Sequence, residues 1–263
     1  MVVAGAYDDL ATEWVRAAGL VYQPLARALL LASPVDLSGQ LVLDVGSGTG
    51  AVAQAALMRG ARVVATDRSA GMVAHLGGCG WPVVASDALA LPFGPGTFAG
   101  ATAGFLLNHV PPAPTLTALI NVVRAGGVVL ATTWDASRPD PVKRAIDRSL
   151  GMHGWLMPDW YATLKAEVEP VSGDHRRLRN VAHEVGLTHV TATRHRAQPW
   201  VRDPHAAVAY RTAMPHIAPW LAGLGRIERA EAIRQAEVAV APHLRGWRPA
   251  AIILVGTVDP HPK

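Results

Sequence analysis

Apolar and polar positions divide the chain near Asp135. Before it, short apolar runs alternate with stretches of helical period: strand 41–45, helix 49–59, strand 62–66, helix 69–77, strand 82–85, strand 98–104, helix 113–124 and strand 127–134. Apolar runs of four to eight residues bounded by Gly and Pro signals are strands buried on both faces, and their alternation with helices predicts a parallel sheet with right-handed crossovers. A Pro- and Gly-rich loop, 90–97, stands where a third long helix is expected. Upstream, residues 8–31 place Leu10, Trp14, Ala17 and Ala18 at helical spacing and read as one or two helices broken near Gly19 and Pro24. Beyond Asp135 the period changes. Helices are predicted over 140–150 and 158–168, then an amphipathic helix over 174–185 closed by Gly186, a strand over 188–196, helices near 204–214 and 226–240, and a last strand over 250–258. The expected organisation is an N-terminal helical cap (1–37), an α/β core (38–135) and a remainder (136–263) that adds helical insertions and the last two strands of the same sheet.

The junction of the first strand and helix carries the strongest chemical signal. Leu41 to Gly50, LVLDVGSGTG, is a buried strand running into a glycine loop that opens a helix. Such a turn lets backbone N–H groups approach a polar ligand with no Cβ in the way. Asp67 ends the second strand, where a carboxylate is placed to accept from ribose hydroxyls; capping the 69–77 helix is its structural alternative. A nucleoside cofactor is therefore expected. The spacing Gly46-x-Gly48-x-Gly50 is one residue shorter than the dinucleotide fingerprint, which argues against a nicotinamide oxidoreductase.

D-x-G-x-G-x-G, Asp44 to Gly50, resembles the first motif of the class I S-adenosylmethionine-dependent methyltransferases. The resemblance continues in order with Asp67-Arg68-Ser69-Ala70-Gly71-Met72, Ser86-Asp87-Ala88 with Leu91-Pro92-Phe93, GFLLNHV from Gly104, and Arg124-Ala125-Gly126-Gly127 leading into VVLATTW. These five motifs cover roughly residues 40 to 135. Phe98-Ala99-Gly100 departs from the family's frequent Phe-Asp. The resemblance implies a Rossmann-like doubly wound α/β fold, a seven-stranded sheet in the order 3-2-1-4-5-7-6 with helical lid elaborations, and S-adenosyl-L-methionine as the cofactor. Gly46, Ser47, Gly48 and Gly50 then shape the loop, Asp44 braces it, Asp67 holds the ribose, and Asp87 and Ala88 occupy the adenine positions. Arg68 and Met72 flank the nucleoside, Phe105 lies at the end of strand four, and Tyr7 and Tyr22 close over it from the N-terminal helices.

Composition narrows the setting. The chain has 263 residues, half of them hydrophobic. No uncharged apolar run reaches membrane-spanning length, and the N-terminus lacks a basic leader, so a cytoplasmic protein that does not engage a membrane is expected. Cys79 is the only cysteine, which leaves no disulfide framework and no cysteine zinc site. His183-Glu184 does not continue to H-E-x-x-H, so no metal is expected. Residues 1–135 carry net charge −2 and residues 136–263 net +6. A basic second half either receives an anionic substrate or a nucleic acid, or merely solvates helix surfaces. The scattered arginines without interleaved aromatics disfavour nucleic acid.

Methyl transfer from a sulfonium is an in-line displacement, so alignment and exclusion of water matter more than covalent catalysis. A helical lid rich in tryptophan suits a small-molecule acceptor, with oxygen expected ahead of nitrogen and carbon as the methylated atom. His109, just after strand four, and His153, in the lid, are the candidate bases. Trp155, Trp160, Tyr161 and Trp200 are the candidate substrate wall, with core packing as their alternative role. An RNA or protein methyltransferase, and a cofactor-binding homologue without methyl transfer, are the competing readings. The sequence leaves the oligomeric state open.

Overall fold

A computed structural model describes Trp14 and residues 17–259; Tyr7, Leu10 and the start of the helix expected over 8–31 lie outside them. Helix α1 (Gly19–Leu31) leads into β1 (Leu41–Val45), α2 (Ala51–Met58), β2 (Arg62–Asp67), α3 (Ala70–Gly77), β3 (Val83–Ala85) and β4 (Phe98–Gly104). A single 3-10 turn, Leu106–Asn108, precedes α4 (Pro112–Val122) and β5 (Val123–Trp134). The remainder comprises α5 (Pro141–Met152), α6 (Asp159–Glu167), α7 (Glu169–Ser172), α8 (His175–Glu184), β6 (Leu187–Arg196), α9 (Pro204–Thr212), α10 (Ala218–Gly223), α11 (Arg226–Leu244) and β7 (Ala250–Val258).

The seven strands form one sheet in the order β3-β2-β1-β4-β5-β7-β6. β1 pairs parallel with β2 and β4, while β7 runs antiparallel between β5 and β6. This is the Rossmann-like α/β sheet expected from the motifs. The near-continuous burial of β4, β5 and β7 reflects helices on both faces. One face packs Leu29, Leu30, Val52 and Ala56 from α1 and α2. The other packs Leu116 and Leu119 from α4 with Leu178 and Ala182 from α8. A third cluster lies outside the sheet: Val142, Ile146 and Leu150 of α5 meet Val208 and Tyr210 of α9, Ala232 and Ala236 of α11, and Val21 and Leu25 of α1.

Several expected boundaries move. α1 runs unbroken through Pro24. Proline has no N–H to give the carbonyl four residues back, here Leu20 O. That carbonyl instead accepts the Trp200 N–H at 2.7 Å, so a distant segment supplies the missing donor. β5 begins four residues early, at Val123, because its pairing with β4 contains a register shift between Phe98 and Gly100. The 158–168 helix divides at Val168, with Pro170 in the first turn of α7. Among the described residues no helix is long and apolar enough to cross a membrane, and no cluster of three or more His, Cys, Asp or Glu could hold a metal.

Candidate active site

β1 carries its chain into the loop with Gly46, Gly48 and Gly50 at φ +64°, +56° and +83°. Two of these positions are also crowded by neighbouring side chains. A Cβ on Gly46 would lie 2.8 Å from Leu106 Cδ1, and one on Gly50 would lie 3.0 Å from Trp81 Cζ2. Ser47 N–H donates to Thr66 O at 2.9 Å, and its hydroxyl donates to Asp44 O at 2.8 Å, so Ser47 stiffens the loop from inside.

Asp44 is buried beneath the loop. Its Oδ1 accepts from Thr102 Oγ1 at 2.7 Å and its Oδ2 from Ala53 N–H at 3.1 Å, which ties β1 to β4 and to α2. Burial pushes the carboxyl up to about 6, against the downward pull of the Thr102 hydroxyl. Asp67 Oδ2 accepts from Gly48 N–H at 2.8 Å and Oδ1 from Ser69 N–H at 2.9 Å. Burial raises its pKa too, partly offset by those N–H groups. The helix cap that was the alternative role for Asp67 belongs to Ser69, whose Oγ accepts from Met72 N–H at 3.3 Å.

A cavity of about 640 Å³ opens over this loop. Every cofactor candidate from the sequence lines it: Tyr22, Asp44, Gly46, Ser47, Gly48, Gly50, Asp67, Arg68, Met72, Asp87, Ala88 and Phe105. At its far end Asp87 Oδ1 accepts from Leu89 N–H at 2.9 Å, and Oδ2 lies 3.9 Å from Arg68 Nη1, both side chains half-exposed. Three carboxylates against one guanidinium make this cavity electronegative. That suits S-adenosylmethionine, whose ammonium and sulfonium centres would relieve the desolvation of Asp44 and Asp67. The bare glycine loop suits its close approach.

A second cavity of about 550 Å³ lies between the sheet edge and the helices after Trp134. The two cavities share Trp14, Tyr22 and His109. Tyr22 stacks on Trp14 (centroids 5.7 Å apart) and meets Phe105 edge-on at 4.8 Å. Phe105 holds a left-handed backbone, φ +61°, unusual for an aromatic residue, and its N–H donates to Thr132 O at 2.9 Å. The turn carries the chain from β4 to His109. Burial lowers His109 to about 4, so it is neutral at physiological pH.

The substrate candidates divide. Trp160 and Tyr161 line the second cavity, Tyr161 stacked on His216 at 3.8 Å. Trp155 does not; its indole N–H donates to His216 O at 3.0 Å and packs behind that stack, because its short loop turns it into the helical core. Trp200 is also away from both cavities, held under the Arg27 guanidinium at 4.9 Å by the segment that satisfies Leu20. His153 ends α5 outside both cavities, its Nε2 3.0 Å from Gln235 Oε1, which removes it from the candidate bases.

Residues that the sequence did not single out complete the second cavity. Lys143 Nζ sits 3.5 Å above the Trp134 ring. Arg211 grips Asp147 through Nε and Nη2, each at 2.7 Å from a carboxylate oxygen. Tyr210 and His216 are buried beside them. Pairs such as Asp147–Arg211 lie 64 positions apart and have no local signature.

Comparison with known proteins identifies the family. A family described as a methyltransferase domain matches residues 43–131. Demethylmenaquinone methyltransferase of Thermobifida fusca is 34% identical over 166 residues, covering 59% of this chain and 67% of that protein. The chain belongs to the class I S-adenosylmethionine-dependent methyltransferases. It is an enzyme of that family, and S-adenosylmethionine is its cofactor. Among solved structures, a putative methyltransferase of Haloferax volcanii in complex with the Trm112 activator shares the fold across 99% of both chains (TM-score 0.58, 17% identity). A phosphoethanolamine N-methyltransferase of Haemonchus contortus shares it over 89% of this chain (TM-score 0.56, 14% identity), and the chain spans 52% of that enzyme's length.

Proposed function

We propose that this methyltransferase transfers the methyl group to a ring carbon of a small, quinone-like aromatic acceptor. The observation that carries the reading is the pair of adjoining cavities, one acidic and glycine-lined, one walled by Trp134, Trp160 and Tyr161, which meet at Trp14, Tyr22 and His109. The expectation of an oxygen acceptor has no support among the relatives; the curated ones are named for demethylmenaquinone, a quinone that lacks a ring methyl.

The bound sulfonium supplies an already activated methyl group. In this reading Asp67, oriented by the Gly48, Ser69 and Arg68 N–H groups, accepts from the ribose, and Asp87 and Ala88 contact the adenine. Asp44 holds the loop and balances the positive charge of the cofactor. Arg68 and Met72 flank the nucleoside. Tyr22 and Phe105 form the partition between donor and acceptor. The helices after Trp134 act as the lid that keeps water from the junction. His109, neutral and at that junction, receives the ring proton released after a carbon is methylated.

The test is to incubate the protein with deuteromethyl-labelled S-adenosylmethionine and reduced 1,4-naphthoquinone, then locate the label by mass spectrometry and carbon NMR. A ring-carbon methyl is the expected product. A methyl ether, or methylation confined to non-aromatic acceptors, would overturn the reading.

A further inference from the structure

We infer that the acceptor pocket selects an aromatic molecule carrying a negative charge, a ring carboxylate or phenolate, and that Lys143 is the residue that reads that charge. The inference rests on the second cavity being the acceptor site.

Four carboxylates line this cavity, and each has a partner in the fold. Asp135 pairs with Arg194 Nε at 3.1 Å, Asp147 is gripped by Arg211, and Glu169 pairs with Lys165. Asp140 caps α5 through Lys143 N–H at 3.0 Å and accepts from the Trp247 indole at 3.1 Å. The cations are not matched in the same way. Among the described residues, Lys143, Arg138, Arg144, Arg196, Arg245 and Arg248 line the cavity and have no carboxylate within ion-pair distance. The arginines are exposed and the solvent screens them. Lys143 is half-buried, and its ammonium rests on the face of Trp134. Burial lowers it to about 8, against the upward pull of Asp140 and Asp147, neither of which comes within ion-pair distance.

One further atom is unsatisfied. His216 Nε2 is buried and makes no hydrogen bond among the described residues, while the buried Tyr210 hydroxyl beside it has the Tyr22 hydroxyl as its neighbour. Buried polar groups without partners are uncommon and call for an explanation. Both residues line this cavity together with the Lys143–Trp134 pair and the Tyr161–His216 stack. An aromatic anion supplies what is missing: a flat face for the rings, an oxygen atom for His216 Nε2 and a counter-ion for Lys143. The two cavities then have opposite polarity. The acidic one receives a cationic donor and the basic one an anionic acceptor, so methyl transfer between them neutralises charge in a site of low polarity.

The probes are 1-hydroxy-2-naphthoate and its uncharged isostere 1-hydroxy-2-naphthamide, titrated calorimetrically into the full chain near neutral pH with no methyl donor added. The carboxylate is expected to bind at least tenfold more tightly than the amide. The preference should fall to within twofold in Lys143→Met, which keeps the apolar stem over Trp134, and return in Lys143→Arg. The melting temperature of Lys143→Met should not drop, since the variant removes an unpaired cation. Equal affinities in the parent protein, or an unchanged preference in Lys143→Met, overturn the inference. Met214→Trp, which fills the cavity, separates this from the underlying reading. If it abolishes binding of both probes the site is correct, whatever the charge preference; if both still bind, the acceptor site lies elsewhere and both readings fall.

Discussion

Replacing Asp44 with asparagine tests the electrostatics of the cofactor site without adding bulk. Folding raises this carboxyl from 3.8 to about 6, chiefly by burial. The sign follows directly. The protonated form is favoured in the folded state, so its stabilisation is present in full below the unfolded value and is lost as pH rises through about 6. A shift of about two units makes the ionised form cost about 3 kcal/mol at neutral pH. An asparagine can keep the local bonds: its oxygen accepts from Ala53 N–H, and its amide donates to Thr102 Oγ1, whose hydroxyl turns toward Leu43 O at 3.4 Å. Urea denaturation followed by tryptophan fluorescence should therefore show the parent protein losing about 2 kcal/mol more than Asp44→Asn between about pH 4.5 and about pH 7.5. Asp67 titrates in the same direction, but it is present in both proteins and largely cancels in the difference. The same variant should bind S-adenosylmethionine at least tenfold more weakly at neutral pH, since the charge that destabilises the free protein is the one that balances the ligand. Parallel stability curves for the two proteins across that range would refute the reasoning.

Three other outcomes are expected. Gly104→Ala places a Cβ 2.6 Å from Val52 Cγ2 and should destabilise the fold by about 1–3 kcal/mol, with much of the loss recovered by adding Val52→Ala; thermal unfolding reads both. Asp147→Ala strands the buried Arg211 guanidinium and should lower stability by about 3 kcal/mol in urea, whereas a loss below about 1 kcal/mol would show that solvent reaches Arg211. His109→Gln should reduce kcat about a hundredfold with little change in melting temperature. Because burial holds this histidine at about 4, its protonation should leave the parent rate flat above about pH 5.

The cofactor half of the molecule was legible because its signals are local. A strand, a glycine loop and a carboxylate at the next strand end are contiguous motifs, and parallel strands bring their carboxyl ends to one edge whatever the surface sequence. Asp44, Asp67, Asp87 and the loop therefore converge as the sequence implied, and all line one cavity. The second cavity was not legible in this way. Trp155, Trp160, Tyr161 and Trp200 look alike as residue types, yet two face the cavity, one packs behind it and one lies under an arginine on the surface. Which role each takes depends on how α5, α9 and α11 pack on one another and on α1, and those contacts join residues tens of positions apart. The same holds for Pro24, which should have broken its helix and did not, because Trp200 reached across to the orphaned carbonyl. Sequence alone determined the strands, their alternation with helices and the glycine loop, since these are encoded within short segments, and the strand order followed from the resemblance of the ordered motifs to a known family. Only the tertiary structure decided the lining of the second cavity, since side-chain partnership across distant helices is set by packing and carries no local pattern.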